Sequence, residues 1–253
     1  MIATFGAATD PGLVRRHNED RYCADADTGL FLVVDGVGGQ NAGQVAAEIV
    51  CNRIQAFIRE TAEDEDKTWP FGIDTALSAA GNRLRASILV ANRAVSERLI
   101  EDESLNGMAA TMAGALVKTS SAVVSNVGDC RGYLLRSRKL LQITLDHSWV
   151  AEQVRAGVLD AEAARVHPMR NLVTRAVAGQ GDLSIDIVEF DVQSGDTLLL
   201  CSDGLSGAVT DEQIEAILLA SLPDADGACR ALVAAANADG GKDNVTVVVV
   251  SLP

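Results

Sequence analysis

From Thr111 to Thr144, runs of strand-forming residues succeed one another with almost no chain between them. Thr111–Lys118 and Ala122–Asn126 are separated only by Thr119, Ser120 and Ser121; Gly132–Arg136 and Leu140–Thr144 are separated only by Ser137, Arg138 and Lys139. A parallel pair needs a crossover of roughly a dozen residues or more, so these neighbours must pair antiparallel. Further strand candidates are Ala3–Ala8, Tyr22–Ala24, Leu30–Val34, Ser184–Phe190, Thr197–Cys201 and Val245–Ser251. Two segments carry the helical period instead. Val45, Ala46, Ile49, Val50, Ile54, Phe57 and Ile58 mark one over Gly43–Ile58; Ile73, Leu77, Ala80, Leu84, Ile88, Ala91, Val95 and Leu99 mark another over Ile73–Ile100. The acidic stretch ETAEDEDKTWPFG between them, with Pro70, reads as a surface connection. Later helices are expected at Asp211–Ala220 and Asp224–Ala236. Long helices and clustered antiparallel strands predict an α+β layered fold with helices outside the sheets. No repeat or linker divides residues 1–253, which read as a single domain whose least regular part is about 146–170.

Hydrophobic residues make up 48% of the chain but aromatic residues only 4%, so the core must be built from Ala, Val, Leu and Ile. The formal net charge of −14 argues against a nucleic-acid partner, whose backbone would be repelled. Cys23, Cys51, Cys130, Cys201 and Cys229 show no C-x-x-C spacing, which fits free thiols in a reducing compartment. The N-terminal residues lack a basic region followed by an apolar core, and no apolar run reaches the roughly 18 residues of a membrane span. A cytoplasmic location is the expectation.

Acids recur where strands should end. Asp35 and Gly36 follow LFLVV, Gly128 and Asp129 follow AVVSNV, and Asp203 and Gly204 follow TLLLCS; Asp243 and Asn244 precede VTVVVV, and Glu19 and Asp20 precede a further strand. Asp-Gly alone is a common turn dipeptide. The repetition carries more weight, because carboxylates gathered at one rim would repel one another unless cations lay between them. With only three histidines and scattered cysteines, oxygen ligation by Mg²⁺ or Mn²⁺ is the expected metal chemistry. Two such ions about 3.5–4 Å apart form a common apparatus for phosphoryl hydrolysis. Arg15 and Arg16 stand shortly before Asp20, and a guanidinium grips phosphate through paired hydrogen bonds.

Taken together and in order, RRHNED, VVDGVGGQNAG, MAATMAGALV, SNVGDCRGYLLR, ITLDHS, HPMRNLVTRAVAG, LLLCSDGLSG and GGKDNVTVVVV resemble the metal-dependent protein phosphatase family, protein phosphatase 2C, in its compact bacterial form. The resemblance covers essentially the whole chain. It implies a four-layer α-β-β-α sandwich of two antiparallel sheets flanked by pairs of antiparallel helices. It also implies Mn²⁺- or Mg²⁺-dependent hydrolysis of phosphoserine and phosphothreonine in proteins, by attack of a metal-activated water on phosphorus. By the same resemblance, Asp35 bridges two core ions and the Gly36 carbonyl binds the second. Asp203 and Asp243 hold the first ion, Asp20 supports the second, and Asp129 joins Asp203 at a weaker third. Arg15, in its R-x-x-N-E-D setting, binds the phosphate. Asn244 orients Asp243 or water. Residues Trp149 to Pro168 correspond to a mobile flap, and His17 and His147 read as surface or structural residues.

One position departs from the pattern. Where many eukaryotic members carry a histidine proposed as general acid, this chain has Val37, which leaves proton delivery unassigned and a metal-bound water as first candidate. Phosphorylated Ser/Thr proteins, a Ser/Thr kinase as counterpart and a monomeric state are the expected associations. An inactive phosphoprotein binder and a two-metal nuclease are the rival readings; the retained acids weigh against the first and the acidic balance against the second.

Overall fold

The strand Leu30–Val37 is buried along most of its length, and its alternation sends successive side chains into different cores. Leu30, Leu32 and Val34 pack with Ala46, Val50, Ile54, Leu84 and Ile88, all helical residues. Phe31 and Val33 face the other way, onto Leu198, Leu200, Val248 and Val250 of a second sheet. The outer face of that second sheet, with Leu199, Cys201, Val247 and Val249, packs on Ile214, Leu218, Ala228 and Leu232. Three apolar seams therefore separate helices, sheet, sheet and helices: the expected four-layer sandwich.

The structure, a computed structural model, describes residues 4–39, 41–62 and 70–252. The strands are β1 (Thr4–Asp10), β2 (Arg21–Asp25), β3 (Leu30–Val37), β4 (Ala109–Val117), β5 (Ser121–Val127), β6 (Arg131–Arg136), β7 (Lys139–Gln142), β8 (Asp186–Asp191), β9 (Thr197–Cys201) and β10 (Val245–Ser251). The helices are α1 (Ala42–Thr61), α2 (Ala79–Glu101), α3 (Trp149–Arg155), α4 (Ala161–Val166), α5 (Asp203–Ser206), α6 (Asp211–Ser221) and α7 (Ala225–Ala238). One sheet runs β1-β10-β9-β6-β7 and the other β2-β3-β4-β5-β8. Every pairing is antiparallel, including the β4–β5 and β6–β7 hairpins expected from their short connections.

Several boundaries differ from expectation for identifiable reasons. Helix α2 starts at Ala79 rather than Ile73. The buried Asn82 side chain accepts a hydrogen bond from the Asp74 N–H and donates to the Asp74, Leu77 and Ser78 carbonyls, which folds that stretch into a loop. Ser78 then caps the helix by accepting from the Gly81 N–H. Ile73, whose spacing extended the helical pattern, is 65% exposed. Strand β3 does not stop at Val34: its ladder continues through Asp35↔Thr111, Gly36↔Ala110 and Val37↔Ala109. Residues 146–170 contain the two short helices α3 and α4, capped by Ser148 and Asp160. Residues 63–69 of the acidic connection, and Ala3 of the first strand candidate, lie outside the described residues. All five cysteines are buried and free.

Register sets where the site must be. In one sheet Arg21 pairs with Val34, Val37 with Ala109, and Val127 with Met112. In the other, Cys201 pairs with both Arg131 and Val247. The ends of β3, β5 and β9 and the starts of β2, β6 and β10 thus share one edge of the sandwich.

Candidate metal centre

Along β3, Asp35 has the parity of Phe31 and Val33, so it points into the gap between the sheets, at its open end. Asp203 opens α5 directly after β9, and its carboxyl meets that of Asp35 within hydrogen-bonding reach. Asp129, in the β5–β6 turn, stands close enough to both for their charges to act on one another. Asp243 precedes β10, and Asp20 precedes β2. Asp20 is 2% exposed and lies beneath the others, its Oδ2 accepting from Ser202 Oγ at 2.8 Å. These acids, separate in sequence, do converge.

Their electrostatics are those of crowded, poorly compensated anions. Burial is the largest cause in each case and like charge adds to it. Asp20 is raised to about 6, with Asp243 contributing, and Asp203 to about 6, with Asp243 and Asp20 contributing. Asp129 is raised to about 7 by burial, Asp203 and Asp146. Asp35 is raised well above the ordinary carboxylate range by burial and by Asp20, Asp203 and Asp129. Asp20 Oδ1 and Asp203 Oδ1 are buried without a hydrogen-bond partner. Buried polar atoms normally have one, so two orphaned carboxylate oxygens in one place mark a position for a cation.

A second pair of oxygens converges beside them. A methyl group on Gly43 would lie 2.6 Å from Glu19 Oε2 and 2.7 Å from Gly36 O, so the missing side chain leaves a cradle between those two donors. Gly36 is itself confined, because a side chain there would run into the Gly43 and Glu19 carbonyls. Its glycine serves close packing of β3 on α1 rather than a turn. Glu19 was not among the acids expected to ligate. It lines the cleft while its neighbour Asp20 lies behind it; being next to Asp20 and ahead of a strand of opposite-facing alternation was the signal. The all-oxygen donor set fits Mn²⁺ or Mg²⁺. Among the described residues no three His, Cys, Asp or Glu side chains approach one point closely enough to hold an ion as they stand.

The acids open into a cleft of about 420 Å³ lined also by Arg15, Arg16, His17, Val37, Asn171 and Val173. Arg15 does not stand free: its guanidinium donates to Asp243 Oδ2 at 2.7 Å. Asn244 does more than expected. Its N–H donates to Asp243 Oδ1, while its side chain donates to the Pro11 and His17 carbonyls and accepts from the Glu19 N–H. It thereby ties the Arg15 loop to Asp243. Val37 is 45% exposed in the cleft and offers no proton. His147 is 3% exposed and fully engaged outside the cleft, consistent with a structural role.

Comparison with known proteins bears on the family and the fold. A family model described as Protein phosphatase 2C matches residues 15–235. The serine/threonine phosphatase Stp of Listeria monocytogenes is 35% identical over 249 residues, covering 96% of this chain and 93% of that protein. The protein phosphatase PhpP of Streptococcus pneumoniae is 32% identical over 250 residues, covering 96% and 95%. The crystal structure of the Mycobacterium tuberculosis serine/threonine phosphatase PstP/Ppp superposes with a TM-score of 0.87 at 34% identity, over 100% of this chain and 99% of that one. The catalytic domain of PstP, solved in complex with two manganese ions, superposes at 0.84 with 33% identity, over 98% and 97%. With the layers, the rim of acids and the family match in agreement, the chain belongs to the protein phosphatase 2C family.

Proposed function

We propose that this chain is a metal-dependent protein serine/threonine phosphatase whose single catalytic domain spans residues 1–253 and carries a flap at about 146–170. The observation that carries the reading is the meeting of Asp35 and Asp203, with orphaned oxygens on Asp203 and Asp20, at the floor of a cleft whose rim holds Arg15. Related proteins over nearly the full chain are named serine/threonine phosphatases, which supports the substrate class.

Asp35, Asp203, Asp243 and the Gly36 carbonyl would hold two core ions, with Asp20 and Glu19 supporting them, and Asp129 with Asp203 would hold a weaker third. Manganese or magnesium bound there supplies positive charge at the phosphoryl oxygens and lowers the pKa of water at the phosphorus. The chain's own contribution is positioning. Arg15 releases Asp243 and takes two phosphoryl oxygens; the exposed pair it leaves is worth no more than about 1 kcal/mol, so the exchange is inexpensive. Asn244 keeps that arginine's loop in register with Asp243 as this happens. Asn171 and Val173, on the segment returning from the flap, form one wall of the cleft. The chain acts as a monomer in the cytoplasm and opposes a Ser/Thr kinase.

Hydrolysis of p-nitrophenyl phosphate and of a phosphothreonine peptide, each with and without Mn²⁺, tests the assignment. Turnover of both that requires the metal is expected. No turnover of either by folded, Mn²⁺-loaded protein would leave an inactive phosphoprotein binder as the reading.

A further inference from the structure

Resting on the phosphatase reading of the cleft, we propose that His147 is a positioning residue that joins the flap to the turn carrying Asp129, so that flap closure and the placement of that carboxylate are one motion. The imidazole sits where four segments meet. Its Nδ1 accepts from the Gly128 N–H at 3.0 Å, and the His147 N–H donates to the Gly128 carbonyl at 2.9 Å, so one residue holds both polar groups of the glycine before Asp129. Its carbonyl accepts from the Thr174 N–H at 2.8 Å, on the segment returning from the flap. Its Nε2 lies 3.2 Å from Asp186 Oδ2, at the start of β8, and 3.0 Å from Arg175 Nη1, which is itself only a donor.

The tautomer follows from these contacts. A lone pair on Nδ1 is needed for the Gly128 N–H, so the hydrogen resides on Nε2 and points to Asp186. Asp186 Oδ1 in turn accepts from Arg175 at 2.7 Å, and that arginine terminates the same returning segment. The flap is otherwise a narrow neck: Ser148 bridges Val173, and the Trp149 N–H donates to the Leu172 carbonyl. Asn171 and Val173, in that neck, line the cleft. A displacement of residues 171–175 is therefore carried by His147 to Gly128. Gly128 has φ +104°, a conformation other residues rarely adopt, and a side chain there would strike Thr111, so the turn has little freedom to absorb the displacement.

The test uses His147→Ala, His147→Asn and Arg175→Met in the full chain. Asparagine keeps an acceptor for Gly128 but loses the Asp186 arm; Arg175→Met removes the contacts to Asp186 and to His147 Nε2 while leaving the Gly128 turn's own bonds in place. Mn²⁺ binding is read by titration calorimetry, and kcat and KM are read separately on a phosphothreonine peptide and on p-nitrophenyl phosphate. His147→Ala is expected to weaken the weakest Mn²⁺ step by about tenfold, as loss of an outer support does, with His147→Asn recovering most of it. Arg175→Met is expected to raise KM for the peptide by about tenfold on the same footing, while KM for the small ester stays within about twofold. If His147→Ala does not fold, His147→Asn and Arg175→Met carry the test alone. Wild-type Mn²⁺ isotherms and peptide KM in the folded variants would overturn the inference. An inactive wild type would overturn the phosphatase reading instead.

Discussion

Asp35 shows how much a single position can demand. It lies on a strand face otherwise occupied by Phe31 and Val33, against neighbouring acids, and its proton is held far more tightly than that of a free carboxyl. Asp20, Asp129 and Asp203 are held the same way, at about 6, 7 and 6. Between the ordinary carboxylate pKa of about 4 and these raised values, the folded chain binds more protons than the unfolded one, so its stability falls as pH rises. His147, lowered chiefly by burial, opposes this below about pH 6.5, but it is one group against several acids. Metal-free protein is therefore expected to melt at a lower temperature at pH 7.5 than at pH 5, by scanning calorimetry; a flat profile would count against the crowding. Asp35→Asn should raise the metal-free melting temperature at pH 7.5, at roughly 2–4 °C per kcal/mol of repulsion relieved. The same variant should lower Mn²⁺-dependent turnover by at least about a hundredfold. Arg15→Ala should cut kcat/KM on p-nitrophenyl phosphate by at least about tenfold, and Arg15→Lys should recover little, because an ammonium lacks the planar two-pronged grip.

At the scale of elements, the close approach of β3 to α1 through Gly36 and Gly43 is what brings backbone and side-chain oxygens together. Alanine in a helix is favoured over glycine by about 1 kcal/mol. At position 43 the contacts at 2.6–2.8 Å outweigh that gain. Gly43→Ala is expected to lower the melting temperature and the Mn²⁺ affinity together; a stabilised, fully active variant would show that the cradle has no role. These elements were largely legible beforehand. Near-continuous apolar runs marked β9 and β10 to the residue, and short connections decided the antiparallel pairing. The exceptions have local causes. Asp35 and Gly36 look like a turn but remain in the ladder because β4 continues opposite them. Ile73 and Leu77 fit a helical period but precede a serine cap and an asparagine that bonds the backbone into a loop. The Pro11, His17 and Glu19 partners of Asn244 lie more than two hundred positions from it, which no local pattern records.

For the molecule as a whole, the acids occupy one rim because both sheets deliver their strand ends there, so metal bound at that rim would add to the fold's stability. Ligand that binds only the folded state adds RT ln(1 + [L]/Kd), about 2.7 kcal/mol at a hundredfold excess over Kd. Saturating Mn²⁺ should raise the melting temperature at pH 7.5 by several degrees, and a chelator should reverse both that rise and the activity. Loss of activity in chelator without loss of the thermal increment would separate catalytic from stabilising ions. Among the described residues no helix is long and apolar enough to cross a membrane. The pairing of β1 with β10 also has a practical outcome. Thr4 lies opposite Ser251 and Asp10 opposite Val245, so the rim of acids is at one end of that ladder and Thr4 and Ser251 are at the other. A tether, an affinity handle or a fused module joined beside Thr4 or Ser251 would leave the ladder at the end away from the rim of acids, so the protein can be immobilised by that seam with its cleft facing solution.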